Sequence, residues 1–253
     1  MEKITSLPIV GDVPFSENKS SEGAIVVHEN QNDLMAETFR NVRTNVLYMM
    51  KSDEKVILVT STTTGEGKTF IASNLAVSLA LLGKKIVIVG LDIRKPGLNK
   101  AFQLSHKEQG ISQFLANPEH TDLMSLVQVS NINSNLSILP GGPIPPNPTE
   151  LVARESLPQA IDILKKHFDY IILDTAPTRH GDRYPTDFAR SQRQHLCVPG
   201  RLHPQSRLYF NQRTERTEKT AQPMYPYQRT GHEEKEVRIL LWIRQVWQVL
   251  RIR

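Results

Sequence analysis

Thr60-Ser61-Thr62-Thr63-Thr64-Gly65-Glu66-Gly67-Lys68-Thr69 follows the β-branched run Lys55-Val-Ile-Leu-Val-Thr60, and it leads into a stretch, Gly67 to Leu82, rich in Ala and Leu at helical spacing. The predicted order is a short buried strand, a glycine-bearing turn and a helix. The glycines let backbone N–H groups close around phosphate oxygens, and the helix start adds the positive end of its dipole. Lys68 is placed to reach the outer phosphates of a nucleotide, and Thr69 to ligate Mg²⁺. The first glycine usual in such loops, six residues before the lysine, is Thr62 here. The match is to a variant phosphate loop.

Outward from the loop, Lys85–Val89 reads as a second buried strand, with strands also at Leu136–Leu139 and Tyr170–Leu173. Helical signals lie at Ile111–Ala116, Leu123–Val127, Thr149–Arg154 and Leu157–His167. Runs apolar on both faces suit a parallel sheet covered by helices, so the expected fold class is α/β, a P-loop NTPase with a mostly parallel sheet. Asp174 ends the run Tyr170-Ile-Ile-Leu173 and precedes Thr175-Ala176-Pro177. Asp92 ends the strand that follows the loop helix, in Gly90-Leu-Asp92-Ile-Arg94-Lys95-Pro96. Either aspartate alone reads equally well as a cap or turn residue. Ligands of an open parallel sheet sit beyond the carboxyl ends of its strands, so the two should converge on the loop. The candidate ATP-binding set is Thr64, Gly65, Glu66, Gly67, Lys68, Thr69 and Phe70, and the candidate Mg²⁺ set is Thr69, Asp92 and Asp174.

A chain of 253 residues with 39% hydrophobic content has room for one α/β domain with arms. Its single cysteine, Cys197, rules out an internal disulfide framework and fits a reduced, cytoplasmic setting. No run approaches the roughly 18 apolar residues of a membrane span, and the N-terminus lacks a signal-peptide pattern. The net charge of +5 is unevenly spread. Residues 1–177 hold 16 Lys+Arg against 19 Asp+Glu, a balance of −3, and residues 178–253 hold 15 against 7, a balance of +8. The domain that carries the motifs is therefore slightly acidic, and no nucleic-acid partner is expected. Lys outnumbers Arg 12 to 4 before Thr178, whereas Arg outnumbers Lys 13 to 2 from there on. Two differently composed segments have been joined.

Five motifs stand in order between Ile4 and Pro177: Glu37-Thr-Phe-Arg40-Asn-Val-Arg43-Thr-Asn45, the phosphate loop, Asp92-Ile-Arg94-Lys95-Pro96, Pro145-Pro-Asn-Pro-Thr-Glu-Leu151 and Phe168-Asp-Tyr-Ile-Ile-Leu-Asp174. In these the chain resembles the bacterial tyrosine kinases that regulate capsule and exopolysaccharide export. The resemblance implies transfer of the γ-phosphoryl of ATP to tyrosines, mostly on a neighbouring copy's tail. Lys68 would stabilise the transferring charge, Thr69 and Asp174 would hold Mg²⁺, and Asp92 would sit at the metal or accept the tyrosine proton, so Lys68 and Asp92 are the candidate catalytic residues. Many members carry an acid at the place of Gly90; with glycine there, Asp92 is the only carboxylate of that motif. Spacings of three put Glu37, Arg40 and Arg43 along one side of a helix, which alone reads as a local ion-paired surface. The resemblance makes them a contact between subunits of a homo-oligomeric ring. It also implies peripheral attachment at the inner face of the plasma membrane, through a polysaccharide co-polymerase module, and makes residues 1–35 a linker arm. The chain is then a separate kinase subunit or a piece of a longer protein. The alternative reading is a Min- or Par-like ATPase switch that binds a partner or membrane.

The resemblance divides the chain into that arm, an incomplete kinase-like domain at 36–177 and an anomalous basic tail at 178–253. His180-Gly-Asp-Arg-Tyr-Pro185 can be encoded CAT GGT GAC CGA TAC CCA, and dropping the first base gives Met-Val-Thr-Asp-Thr, similar to the family's missing segment. The same offset turns His195–His203 into a strand-like run. The expectation is a tail translated out of frame and without order, a sheet lacking its last strands, poor solubility and little kinase activity. Tyr225 and Tyr227 read as incidental tail residues, not phosphosites. Ile239, Leu240, Ile243, Val246, Trp247 and Leu250 recur at helical spacing within 237–252, which out-of-frame residues can also produce. Resequencing the gene across the codons for Asp174 to Arg183 is expected to reveal a one-base change of frame; an intact frame running through the present tail contradicts it.

Overall fold

The runs Val56–Ser61 (β2), Ile86–Gly90 (β3) and Tyr170–Asp174 (β6) are buried along essentially their whole length, as strands covered on both faces must be. They form the centre of one sheet in a computed structural model that describes residues 9–14, 25–30, 32–61, 64–104, 109–177, 195–198, 205–212 and 236–243. The remaining strands are Ile9–Pro14 (β1), Gln128–Val129 (β4), Leu136–Leu139 (β5), His195–Val198 (β7), Gln205–Gln212 (β8) and Glu236–Ile243 (β9). Their order is β1-β8-β9-β7-β2-β6-β3-β5-β4. Neighbours from β7 to β5 run parallel, while β4 lies antiparallel against β5. β6 sits between β2 and β3, pairing Val59 and Gly90 with Asp174. That insertion brings the loop after β2, the turn after β3 and Asp174 to one end of the sheet.

Among the described residues six α-helices accompany the sheet, Leu34–Met49 (α1), Lys68–Ala80 (α2), Leu98–Ala101 (α3), Ile111–Ala116 (α4), Pro148–Val152 (α5) and Ser156–His167 (α6), with a 3-10 turn at Met124–Leu126 where a helical signal is expected. One apolar cluster joins α1 and α2 to β-strand residues such as Ile57, Ile88 and Ile172; the other joins α4 and α6 to Leu58, Val89 and Leu173. Alternate residues of each strand thus face opposite layers. Helix α1 is amphipathic: Ala36, Phe39, Val42 and Val46 are buried, and the Asp33 side chain caps its start by accepting from Ala36 N at 2.7 Å. Helix α2 is buried on nearly all sides, which suits its place between sheet and α1.

Within the arm expected at 1–35, the described residues pack on the domain. Val10, Val13 and Val27 are buried in the core, and β1 pairs antiparallel with β8. Asn74, inside α2, accepts from Val26 N at 2.8 Å and Val27 N at 3.1 Å, and its Nδ2 donates to Phe70 O at 2.9 Å. Asn45 Nδ2 donates to Val10 O at 2.7 Å. These bonds strap the segment across the loop helix.

Within the tail, three runs are described, and each is a strand. β7 lies parallel beside β2, with Leu58 opposite His195 and Ser61 opposite Val198, and β8 and β9 extend the sheet beyond it. An unpaired edge on β2 would leave a row of N–H and C=O groups free, and a short β-capable run satisfies them whatever its origin. In this structure the edge of β2 is covered by β7. Residues 236–243 are strand rather than helix; a short apolar run such as Val237–Ile243 fits both periods, and pairing with β8 decides. Residues 244–253 lie outside the described residues, as do 178–194, Tyr225 and Tyr227.

Candidate active site

The turn between β2 and α2 is built by two left-handed glycines, Gly65 at φ +87° and Gly67 at φ +84°. A Cβ at either would meet nothing within 4 Å, so the backbone conformation, and not crowding, requires glycine there. Gly67 is the N-cap of α2, and no side chain caps that end. No capping side chain thus competes for the first N–H groups of this 13-residue helix, which is the arrangement that binds phosphate. Of the candidate ATP-binding residues, Thr64 and Gly65 are exposed, Glu66 and Lys68 are buried, and Gly67, Thr69 and Phe70 are half-buried. The Phe70 ring packs edge-on against Phe39, centroids 5.8 Å apart, so its side chain belongs to the core and its backbone to the loop. Thr62 and Thr63 lie outside the described residues.

Thr69 Oγ1 donates to Asp174 Oδ2 at 2.8 Å, which joins the start of α2 to the end of β6. Asp174 is 1% exposed, and its Oδ1 is buried with no hydrogen-bond partner among the described residues. Burial pushes this carboxyl up to about 7; the Thr69 hydrogen bond and the Lys68 charge pull the other way, and Asp92 adds to the rise. Asp92 is brought in by the backbone, since Leu91 N and Asp92 N both donate to Asp174 O, at 2.8 and 3.0 Å. Its Oδ1 also accepts from Lys95 N at 3.1 Å, so it is at once a turn residue and a neighbour of the second carboxylate. Among the described residues no three His, Cys, Asp or Glu side chains gather into a metal cage. A hydroxyl, an orphaned buried carboxylate oxygen and a second carboxylate do fit Mg²⁺, a hard cation that shares its coordination with phosphate and water.

Other residues around the site carried no clear local signal. The backbone of Gly141 crosses Gly90: a Cβ at Gly90 would lie 3.0 Å from Gly141 N. The loop after β5 thus packs closely on Gly90, leaving little room there for a side chain. Gly97 lies against Thr69, with a Cβ there predicted 3.0 Å from Oγ1, so the turn after Asp92 closes over the loop helix. The proline-rich motif finds its place as well, because Pro148, Thr149 and Val152 line a small apolar cleft with Leu91, Ile93, Arg94 and Ala176. Glu37, Arg40 and Arg43 do lie on α1. Arg40 pairs with Glu37 and donates to Asn32 Oδ1 at 2.9 Å, whereas Arg43 turns inward and donates to Ser78 O at 2.7 Å. One of the two arginines thus binds the loop helix of its own chain.

Comparison with known proteins agrees with this geometry. A family profile described as an AAA domain matches residues 54–181. The chain is similar to a putative tyrosine-protein kinase CapB of Staphylococcus aureus, 32% identical over 165 residues that make up 64% of this chain and 70% of that protein. It is 33% identical over 154 residues to the tyrosine-protein kinase YwqD of Bacillus subtilis, covering 60% of this chain and 63% of the relative. Against the Escherichia coli tyrosine-protein kinase Etk the match spans only 20% of that protein. Among solved structures, the chimerical protein CapA2B2 superposes with a TM-score of 0.61 at 33% identity, over 72% of this chain and 75% of that one. The kinase domain of E. coli ETK gives 0.60 at 27% identity, over 68% and 69%.

Asp174 supplies a pH test of this site in the metal-free protein. Its folded-state carboxyl lies near 7 against an ordinary 3.8. The protonated form therefore favours folding, and that contribution is fully present below the ordinary value and lost as pH rises through about 7. Asp174→Asn is expected to stabilise the apo protein relative to wild type by a few kcal/mol at about pH 8 and to change little at about pH 4, measured by urea denaturation. A difference that is flat across that window contradicts the assignment.

Proposed function

We propose, on the premise that this chain belongs to the family of bacterial P-loop tyrosine kinases, that it transfers the γ-phosphoryl group of ATP to tyrosine hydroxyls in capsule or exopolysaccharide export. The observation that carries the reading is the Thr69–Asp174 hydrogen bond beneath an uncapped helix start. Mg²⁺ would be held by Thr69 and Asp174, and when bound it neutralises charge on the phosphates. Gly65, Gly67 and the first N–H groups of α2 would cradle the phosphate oxygens. Lys68 would meet the charge that develops on the transferring group. Asp92, which lies close enough to Asp174 to act on its charge, would orient the acceptor hydroxyl and take its proton. Phosphoryl transfer needs chiefly positioning and charge stabilisation, and this set offers both.

The finer readings belong to the same proposal. Glu37 and Arg40 on the outer side of α1 would contact a neighbouring copy in a ring, with Arg43 bracing that helix against α2. Acceptor tyrosines would be those of protein tails, including tails of other copies. No helix among the described residues is long and apolar enough to cross a membrane, so a position at the inner membrane face would come through a co-polymerase partner or module. The family match ends at residue 181, which supports a junction soon after Pro177.

Lys68→Met keeps side-chain length and helix propensity while removing the charge aimed at the outer phosphates, so the fold should survive. ATP binding is expected to weaken, and phosphoryl transfer to a tyrosine polymer to fall by about a hundredfold or more, measured beside Lys51→Met as the control outside the loop. Equal ATP affinity and equal turnover in the two variants would show the loop assignment to be wrong.

A further inference from the structure

The outer face of α1 ends in an aromatic side chain that the core does not use. Tyr48, in the last turn of the helix, is 89% exposed, more than Leu34, Val129, Ile144 or Leu82 among the other exposed large hydrophobic residues. An aromatic ring of this size gains by burial, and here it projects into solvent while Phe39, Val42 and Val46 fill the inner face. Tyr170 provides the contrast. It begins β6 and is half-buried, packed against the core cluster.

We infer that Tyr48 is an acceptor site of this kinase, phosphorylated by a second copy of the chain. The inference rests on the kinase reading above. Helix α1 ends at Met49, and a tight turn, with Lys51 N donating to Glu54 Oε2 at 2.7 Å, delivers the chain to the start of β2. The phosphate loop follows the far end of that strand, six residues or roughly 20 Å away. Tyr48 therefore stands at the opposite end of the sheet from its own loop, and the donor must be another molecule. In the transfer, Tyr48 Oη forms the new bond to the γ-phosphorus of ATP and the bond from that phosphorus to the ADP oxygen breaks. ADP leaves with the electron pair. The phenolic proton passes to the donor copy's Asp92 and on to water.

The product has a physical consequence as well. A phosphate adds close to two negative charges at the C-terminal end of α1, where the helix dipole already presents its negative pole. It also lies on the face that carries Glu37, so a copy approaching along α1 meets added like charge.

The test mixes wild-type chain with isotopically heavy Lys68→Met chain as acceptor in Mg·ATP and maps phosphotyrosine by mass spectrometry. A poly(Glu,Tyr) polymer is assayed alongside as an independent substrate. The expected result is phosphate on Tyr48 of the heavy chain at a rate that rises with wild-type concentration. Tyr48→Phe chain should carry measurably less phosphotyrosine than wild type while phosphorylating the polymer at the wild-type rate. Transfer to the polymer or to other tyrosines with none at Tyr48 overturns the inference and leaves the kinase reading standing. Transfer to neither polymer nor chain overturns both.

Discussion

A hydroxyl and a buried carboxylate 2.8 Å apart, Thr69 and Asp174, join two parts of the chain separated by 105 residues. Thr69 stands in the first turn of the loop helix, and Asp174 closes the strand inserted between β2 and β3. The parallel order of those strands is what lets the contact form, because it sends all three carboxyl ends to one edge. The carboxylate so placed is expensive to ionise in the absence of a cation, and one of its oxygens is left without a partner among the described residues. Folding thus builds a site that is most favourable when positive charge is supplied.

The loop helix transmits that constraint outward. Asn74 and Ser78, two of the buried polar residues of this helix, hold the strap at Val26 and Val27 and the α1 helix through Arg43. Phe70, next to Thr69, rests on Phe39 of α1. A shift of α1 would therefore press on the helix that carries the phosphate loop. Glu37 and Arg40 lie on the opposite side of the same helix, where they pair with each other.

Much of this arrangement was legible locally. Gly65 and Gly67 between a strand and a helix could be read because the signal lies within ten residues, and Asp92 and Asp174 because each ends an apolar run. Helix α4 and strand β5 fall at their expected bounds. Other features depend on partners far away in sequence. Nothing near Asn74 announces that its amide will accept from residues 47 and 48 positions earlier. The packing of Gly90 on Gly141 is equally non-local. Helix α3 and strand β4, with four and two residues, are too short to show a period. The tail strands escaped because a sheet edge selects its partner by backbone hydrogen bonding, while the side-chain pattern of 237–252 suggested a helix.

The dependence of nucleotide binding on the metal tests the central claim most directly. Calorimetric titration of the chain with ATP, in Mg²⁺ and again in chelator, compares the two affinities. If Thr69 and Asp174 form a cation site beside a phosphate cradle, Mg²⁺ should tighten ATP binding by roughly tenfold or more, about 1.4 kcal/mol. Equal affinities in the two conditions would contradict it.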